Sequence, residues 1–398
     1  MSEGSTSNEN QLNIAIVGAG IAGLVSALTM SHAGAHVQIF EKAEELTEIG
    51  ASIQLSPNAT KILQTLGLED ALAKLWIEPH SVKLTDAQTL RIIAEVPISE
   101  LAKNSWGAPY AVLRRADLQH VLHQAVSADE NCTLHLSSNL NFGGPNRLSN
   151  DISGKMGVKP DLIIGADGVW SSVRKVMPLT GHPKFGNYIA WRFNADLSAR
   201  AHLPPEISSS RSIHVLMGAS NHTAIYPADD NGNSNVIFVT RDKNDKPETI
   251  KFDKAISRYD MHPNAVHMLQ SATQLGCWPI NQVTDGTWNN GRDMVLIGDA
   301  AHAMMPFSAQ GAAMAIEDGY LLSKMVTDSP YQISDMLQSF EKKRKIRLSK
   351  VKSRTAFNRF AYHAIGPIKW GRNLVLSRKS PQSLGRGLDW LYGWSADD

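Results

Sequence analysis

The stretch Asn13-Ile14-Ala15-Ile16-Val17-Gly18-Ala19-Gly20-Ile21-Ala22-Gly23-Leu24 decides how the rest of this 398-residue chain is read. A β-branched, apolar run ends in three spaced glycines, and Ile21 to Ala33 then has helical texture, followed by a second apolar run from His36 to Phe40. Strand, tight turn, helix and strand in that order build a right-handed βαβ unit. Gly18 permits the turn, Gly20 lets backbone approach a pyrophosphate, and Gly23 lets helix and strand pack closely. The helix amino terminus then offers unpaired N–H groups and partial positive charge to phosphates. Glu41 ends the second run about twenty residues on, where an acidic side chain accepts ribose hydroxyls and repels a ribose phosphate. This unit fits either of the two common dinucleotides.

Two more motifs lie further out. Asp161-Leu-Ile-Ile-Gly-Ala-Asp167-Gly168 is a buried-strand run ending in Asp-Gly, with Ser171, Ser172 and Arg174 just beyond. Met294-Val-Leu-Ile-Gly298-Asp299-Ala-Ala-His302 is another, followed by Pro306 and the run from Gln310 to Asp318. Asp299 falls at the carboxyl edge of a strand, where open α/β sheets bind ligands; the competing role is a helix cap. Gly311 and Ala312 open a helix with small side chains, so backbone N–H groups can approach a planar ring and the dipole can favour negative charge there. Close helix packing is the other reason for small residues at that point.

The texture predicts an α/β protein whose Rossmann-type half is discontinuous, with a β-sheet-rich part inserted and a helical carboxyl end. Residues 1–11 read as a frayed polar tail. Residues 12–80, 111–184 and 286–335 form the nucleotide-binding half, 81–110 and 185–285 the strands of the inserted half, and 336–398 the terminal helices and tail.

Bulk properties narrow the classes. With 42% hydrophobic and 19% charged residues the chain has the composition of a packed globular protein. A net charge of +1 gives no broad field for nucleic acid or an anionic membrane, so neither is an expected partner. Cys132 and Cys277 stand far apart, which suits a reducing cytoplasm and neither a disulfide framework nor a thiolate zinc site. No apolar run reaches transmembrane length. No metal is expected, since no H-E-x-x-H occurs, and no G-x-S-x-G signals a serine nucleophile. The basic stretch Lys342 to Lys352 fits a solvated helix face, given Glu341 and the apolar Ile346, Leu348 and Val351.

Together the three motifs resemble the single-component class A flavoprotein aromatic hydroxylases, the group that includes para-hydroxybenzoate and salicylate hydroxylases. The resemblance runs from about Asn13 to Tyr392 and takes in Gly50-Ala51-Ser-Ile-Gln54-Leu-Ser-Pro57-Asn58, Arg114-Arg115-Ala-Asp117-Leu118 and Ala190-Trp191-Arg192. It implies one bound FAD held by Gly18, Gly20, Gly23, Glu41, Lys42, Ala51, Gln54, Arg115, Asp167, Asp299, Gly311 and Ala312. It implies a cycle in which NAD(P)H reduces the flavin, O2 adds, and a flavin C4a-hydroperoxide delivers oxygen to an electron-rich ring. No second G-x-G-x-x-G unit is present, so the nicotinamide is expected to bind transiently.

At the substrate end, His222-Thr-Ala-Ile-Tyr226-Pro227 resembles the strand that lines the pocket in these hydroxylases. His222 and Tyr226, four apart, share a strand face. His222 is a candidate base because its ordinary pKa lies near neutrality, Tyr226 a hydrogen-bond partner for the ring substituent, and Arg192 a planar fork for an anionic group; simple packing, or for Arg192 a surface strand position, is the alternative for each. Some relatives carry a base in the loop after Gly-Asp, where this chain has Pro306-Phe307, so the expected substrate is a class, a phenolic or heteroaromatic carboxylate. A related flavoenzyme, an epoxidase or C=C reductase, stays open, as does a non-catalytic escort of the same fold. The polar strands of the inserted half lean against a greasy substrate. A monomer and a homodimer are equally compatible, and the aromatic tail of Trp390, Tyr392 and Trp394 is expected to pack on the body or on a twin subunit.

Overall fold

A computed structural model describes residues 11–46, 52–208, 211–229, 231–243, 246, 251–327 and 332–396. Ala51 and most of the amino-terminal tail lie outside the described residues. Fourteen strands among them form three sheets. The first has the order β14 (Met294–Leu296), β8 (Leu162–Gly165), β1 (Asn13–Val17), β2 (His36–Phe40), β7 (Cys132–His135), every neighbouring pair parallel. Four of the five residues of β1 are buried, as expected of a central parallel strand covered on both faces. The expected α/β, Rossmann-type architecture is present.

Glycine is dictated by space at two of the loop positions. Gly18 has φ +104°, and a Cβ there would lie 2.7 Å from the Ala166 carbonyl oxygen. A Cβ on Gly23 would lie 1.9 Å from the Gly18 carbonyl oxygen, so the helix Ile21–His32 can close on the turn only with hydrogen at that position. This helix packs on Gly311–Thr327, where Thr29 donates to the Gly319 carbonyl at 3.2 Å and Ser323 to the Thr29 carbonyl at 2.7 Å.

The second sheet has seven strands, in the order β13 (Thr273–Gln282), β9 (Lys184–Ala195), β12 (Ser234–Arg241), β11 (Asn221–Pro227), β10 (Ile213–Gly218), β4 (Val82–Asp86), β5 (Ile92–Val96). The β10–β4 pair is its only parallel one and joins two distant segments of chain. A two-stranded ribbon, β3 (Ser52–Leu55) with β6 (Ala111–Arg114), lies against both halves: the Tyr226 hydroxyl of β11 donates to the Ser52 carbonyl at 3.2 Å.

The basic stretch departs from the expected solvated face. It belongs to the helix Ile333–Tyr362, and two of its arginines are almost wholly buried, Arg344 at 1% and Arg347 at 8% exposure. Arg344 donates to Glu317 at 2.7 Å and to Asp318 at 2.6 Å, and Arg347 donates to Glu317 at 2.8 Å. The acids, not water, decide where these cations point. Arg347 also stacks on Trp390 and Trp394, while Tyr392 meets Trp106 edge-on at 4.8 Å, so the aromatic tail packs on the body of its own chain.

Candidate active site

The three glycine and aspartate motifs converge because the parallel strands carrying them end on one edge. A cavity of about 330 Å³ opens there. Gly18, Gly20, Glu41, Lys42, Arg115, Asp167, Asp299, Gly311 and Ala312 all line it. Gly23 lies behind, where it permits the turn. Ser138, Leu140, Phe142 and Trp170 also line it and were not singled out from sequence; the first three lie in a loop with no motif, and Trp170 sits within the Asp167–Arg174 motif.

Glu41 is fixed from two sides, its Oε2 accepting from the Ala19 N–H at 2.8 Å and its Oε1 from the Ala43 N–H at 3.0 Å. Asp167 Oδ2 accepts from the Ser172 and Val173 N–H groups at 2.6 and 3.1 Å, which pins the start of the helix Ser172–Val176, while its Oδ1 is buried with no partner. Arg174, 2% exposed, donates to the Ala300 carbonyl at 2.7 Å and so ties the Asp167 loop to the Asp299 loop. Asp299 is exposed and makes no cap, hydrogen bond or ion pair with any described residue, so the helix-cap alternative falls. Behind it, Asp318 Oδ2 accepts from the Gly298 N–H at 2.8 Å and pairs with His302 Nε2 at 2.5 Å. Burial alone would raise the Asp318 carboxyl, but His302, Arg344 and these hydrogen bonds hold it below its ordinary value. His302 therefore braces the Gly298–Asp299 turn from inside.

This donor set suits FAD. Carboxylates without full partners, Asp299 and one oxygen of Asp167, can accept from sugar or ribityl hydroxyls, and turn N–H groups beside Arg115 and Lys42 suit a pyrophosphate.

A second cavity, about 470 Å³, lies between the seven-stranded sheet and the carboxyl-terminal helices. Its sheet wall holds Val82, Leu84, Val215, His222 and Ala224, and its floor Gln54 and the loop Pro306–Ala309. Its far wall comes from the helices Ile333–Tyr362, Gly366–Arg378, Pro381–Arg386 and Asp389–Tyr392. Sequence reading missed this wall, whose apolar residues carry no motif. Most of the lining is apolar, against the expectation drawn from the polar strands, because the strands themselves turn Val82, Leu84, Val96, Ile213, Val215 and Ala224 toward it.

The predicted pocket residues separate. His222 lines the second cavity and Phe307 packs on its ring at 5.3 Å between centroids. Gln54 lines it too, and accepts from the Tyr110 hydroxyl at 2.8 Å. Tyr226 lines neither cavity: it is 1% exposed, its hydroxyl is spent on the Ser52 carbonyl, and burial pushes its pKa up to about 12. Arg192 also lines neither, and stacks on Trp278 at 5.6 Å. Burial lowers its pKa; Tyr226 pulls it up and Arg115 down.

The reasoning from an ordinary histidine pKa does not hold for His222. Burial, and then the neighbouring His363, push it well below 6.5, and its Nδ1 lies 2.9 Å from His363 Nε2. At neutral pH the ring is an uncharged hydrogen-bonding group.

Residues 11–355 match the FAD binding domain family. The chain is 29% identical over 391 residues to 3-hydroxybenzoate 6-hydroxylase 1 of Aquipseudomonas alcaligenes, covering 96% of this chain and 97% of that one. It is 28% identical over 342 residues to 6-hydroxynicotinate 3-monooxygenase of Bordetella bronchiseptica, covering 80% and 84%. In fold it is similar to a salicylate hydroxylase substrate complex, with TM-score 0.77 at 20% identity over 97% and 96% of the two chains. With Klebsiella pneumoniae HpxO complexed with FAD and uric acid the TM-score is 0.75 at 19% identity, over 96% of each. A glycine turn closed on Glu41, two aspartates on one strand edge and a family match over most of the length lead to one conclusion: the chain belongs to the FAD binding domain family, as an FAD-dependent monooxygenase of the class A flavoprotein group.

Proposed function

We propose that the protein hydroxylates a small phenolic or heteroaromatic carboxylate, with NAD(P)H and O2 as co-substrates. The observation that carries this reading is the pair of cavities, one lined by dinucleotide-binding residues and the other holding His222 opposite a helical wall. Relatives named for 3-hydroxybenzoate and 6-hydroxynicotinate support the substrate class.

In this reading residues 12–80, 111–184 and 286–335 hold FAD, and 81–110 with 185–285 hold the substrate. Glu41 takes the ribose hydroxyls, Arg115 and Lys42 steady the pyrophosphate, and Asp299 accepts from the ribityl chain. The N–H groups at Gly311 and Ala312 face the ring system and favour negative charge on it. Bound FAD supplies hydride acceptance from NAD(P)H and the activation of O2. His222 Nδ1, donating to His363, leaves Nε2 as an acceptor for the substrate's phenol and so orients the ring. Phe307 and the helical wall keep the cavity dry. Tyr226, spent on the Ser52 carbonyl, and Arg192, stacked on Trp278, do not touch the substrate in this reading. Two free cysteines fit a cytoplasmic location.

The purified protein should be yellow, and stopped-flow reduction by NADH or NADPH should accelerate with a fitting hydroxybenzoate or hydroxypyridine carboxylate. Protein that takes up no flavin would sink the reading. The His222→Ala variant should keep FAD but release more hydrogen peroxide per NAD(P)H consumed; unchanged coupling would reduce His222 to packing.

A further inference from the structure

We propose that Arg354 seats the carboxylate of the substrate, a role that rests on the aromatic-acid reading above and names its anionic anchor. Three cations, Arg354, Arg372 and Lys379, line the second cavity, and no aspartate or glutamate does. An apolar chamber with that imbalance attracts an anion and rejects a cation. The three cations are not equivalent. Arg372 is engaged with the Ala361 carbonyl at 2.7 Å and with Asn373 at 2.8 and 3.0 Å, and Lys379 is exposed.

Arg354 is half-buried and lies over the face of Phe357, 5.6 Å from the ring centroid. It makes no ion pair with a described residue, and its Nε is buried with no acceptor. Arg354 lines the cavity, and a carboxylate is the acceptor whose geometry matches a guanidinium fork. Its position is held rather than loose. The next residue, Thr355, bonds Ser308 at 2.7 Å, and Asn358, one turn on, donates to the Phe307 carbonyl at 3.0 Å. Arg354 is thereby fastened to the loop that follows Gly298-Asp299, on the helical wall facing His222. Its charge also reaches the buried phenols of Tyr362 and Tyr392, which burial pushes up and Arg354 pulls back. In this reading the ring lies with its hydroxyl toward the sheet and its carboxylate toward the helix.

Arg192, the arginine favoured from sequence for an anionic group, is outside this cavity and stacked on Trp278. Nothing in the motifs pointed to Arg354, which lies just past the basic stretch Lys342–Lys352 whose buried arginines are structural.

The test is isothermal titration of FAD-loaded protein with 3-hydroxybenzoate and 6-hydroxynicotinate, each against its own carboxamide. Wild type should prefer the acid, and Arg354→Met should lose that preference by about tenfold to a hundredfold. Arg354→Lys should recover part of it, and FAD content should stay at the wild-type level in both. Carboxamide affinity should scarcely move, which a merely collapsed cavity would not allow. If the preference survives in Arg354→Met and vanishes in Arg372→Met or Arg192→Met, the anchor is elsewhere and the proposal is overturned. If wild type binds neither acid, the aromatic-acid reading itself fails, and the role of Arg354 with it.

Discussion

The two cavities are made in opposite ways. The first is built largely from backbone: a turn whose Gly18, and Gly23 behind it, admit no Cβ, N–H groups of turns, and carboxylates at the ends of parallel strands. The second is built from side chains that several remote stretches of chain bring together, with one wall of strands and one of helices that follow the Gly298-Asp299 loop by tens of residues. A backbone cradle has little tolerance, because the main chain cannot repack, whereas a side-chain cavity can be reshaped one substitution at a time.

The largest effect that probes this contrast is expected from Gly23→Val. A Cβ 1.9 Å from the Gly18 carbonyl oxygen forces helix and turn apart, and flavin content should fall to background in the absorbance spectrum. A yellow, normally melting Gly23→Val protein would end the claim that the cradle is set by backbone.

Arg344→Met comes next. It leaves Glu317 and Asp318 buried beside each other with half their compensation gone, which costs about 3–5 kcal/mol when one partner of a buried pair is removed. Chemical denaturation should show this with an unchanged slope, and a loss under about 1 kcal/mol would mean the network behaves like a surface one.

Asp299→Ala should be milder and more selective. Since Asp299 is exposed and unpartnered, the melting temperature of the apoprotein should stay put while FAD affinity drops about tenfold to a hundredfold. Equal loss in both would show that Asp299 holds the fold instead of the cofactor.

The smallest effect is a pH dependence centred on the sheet half. Burial holds His222 well below 6.5 and brings His214 and His363 to about 4. Between about pH 6.5 and 4 the unfolded chain binds more protons than the folded one, so stability present above pH 6.5 should decline as pH falls through that window. Hydrogen exchange should place the loss at β10 and β11 before it reaches β1.

The same contrast explains what the sequence disclosed. Gly18, Glu41 and Asp299 could be read from spacing, because each sits where a strand must end, whereas the role of Asp167 was implied by the resemblance. Lys42 and Arg115, which join the same wall, were legible only through the resemblance, as basic residues there have no strict spacing. In the second cavity His222 and the loop Pro306-Phe307 were foreseen, while Gln54, expected to hold FAD, is not in the first cavity but lines this one. Its helical wall is ordinary amphipathic sequence, and its partners are fixed by tertiary packing that no local pattern encodes. Tyr226 shows the limit of the face argument: four residues from His222 on one strand puts it on the same face, yet the β3–β6 ribbon covers that end and takes its hydroxyl. The buried arginines of the basic run were misread for a related reason, since their acids lie 26 to 30 positions earlier in the chain.

That separation bears on how the chain is made. On the ribosome, Glu317 and Asp318 emerge well before Arg344 and Arg347, and until the arginines follow, the two acids cannot be sealed in a dry interior. The Gly298 turn hangs on Asp318, so the nascent protein cannot finish the edge that carries Asp299 until much of its last long helix has been translated. A stalled chain ending before Arg344 should then remain sensitive to protease at the turn, however complete its glycine motif.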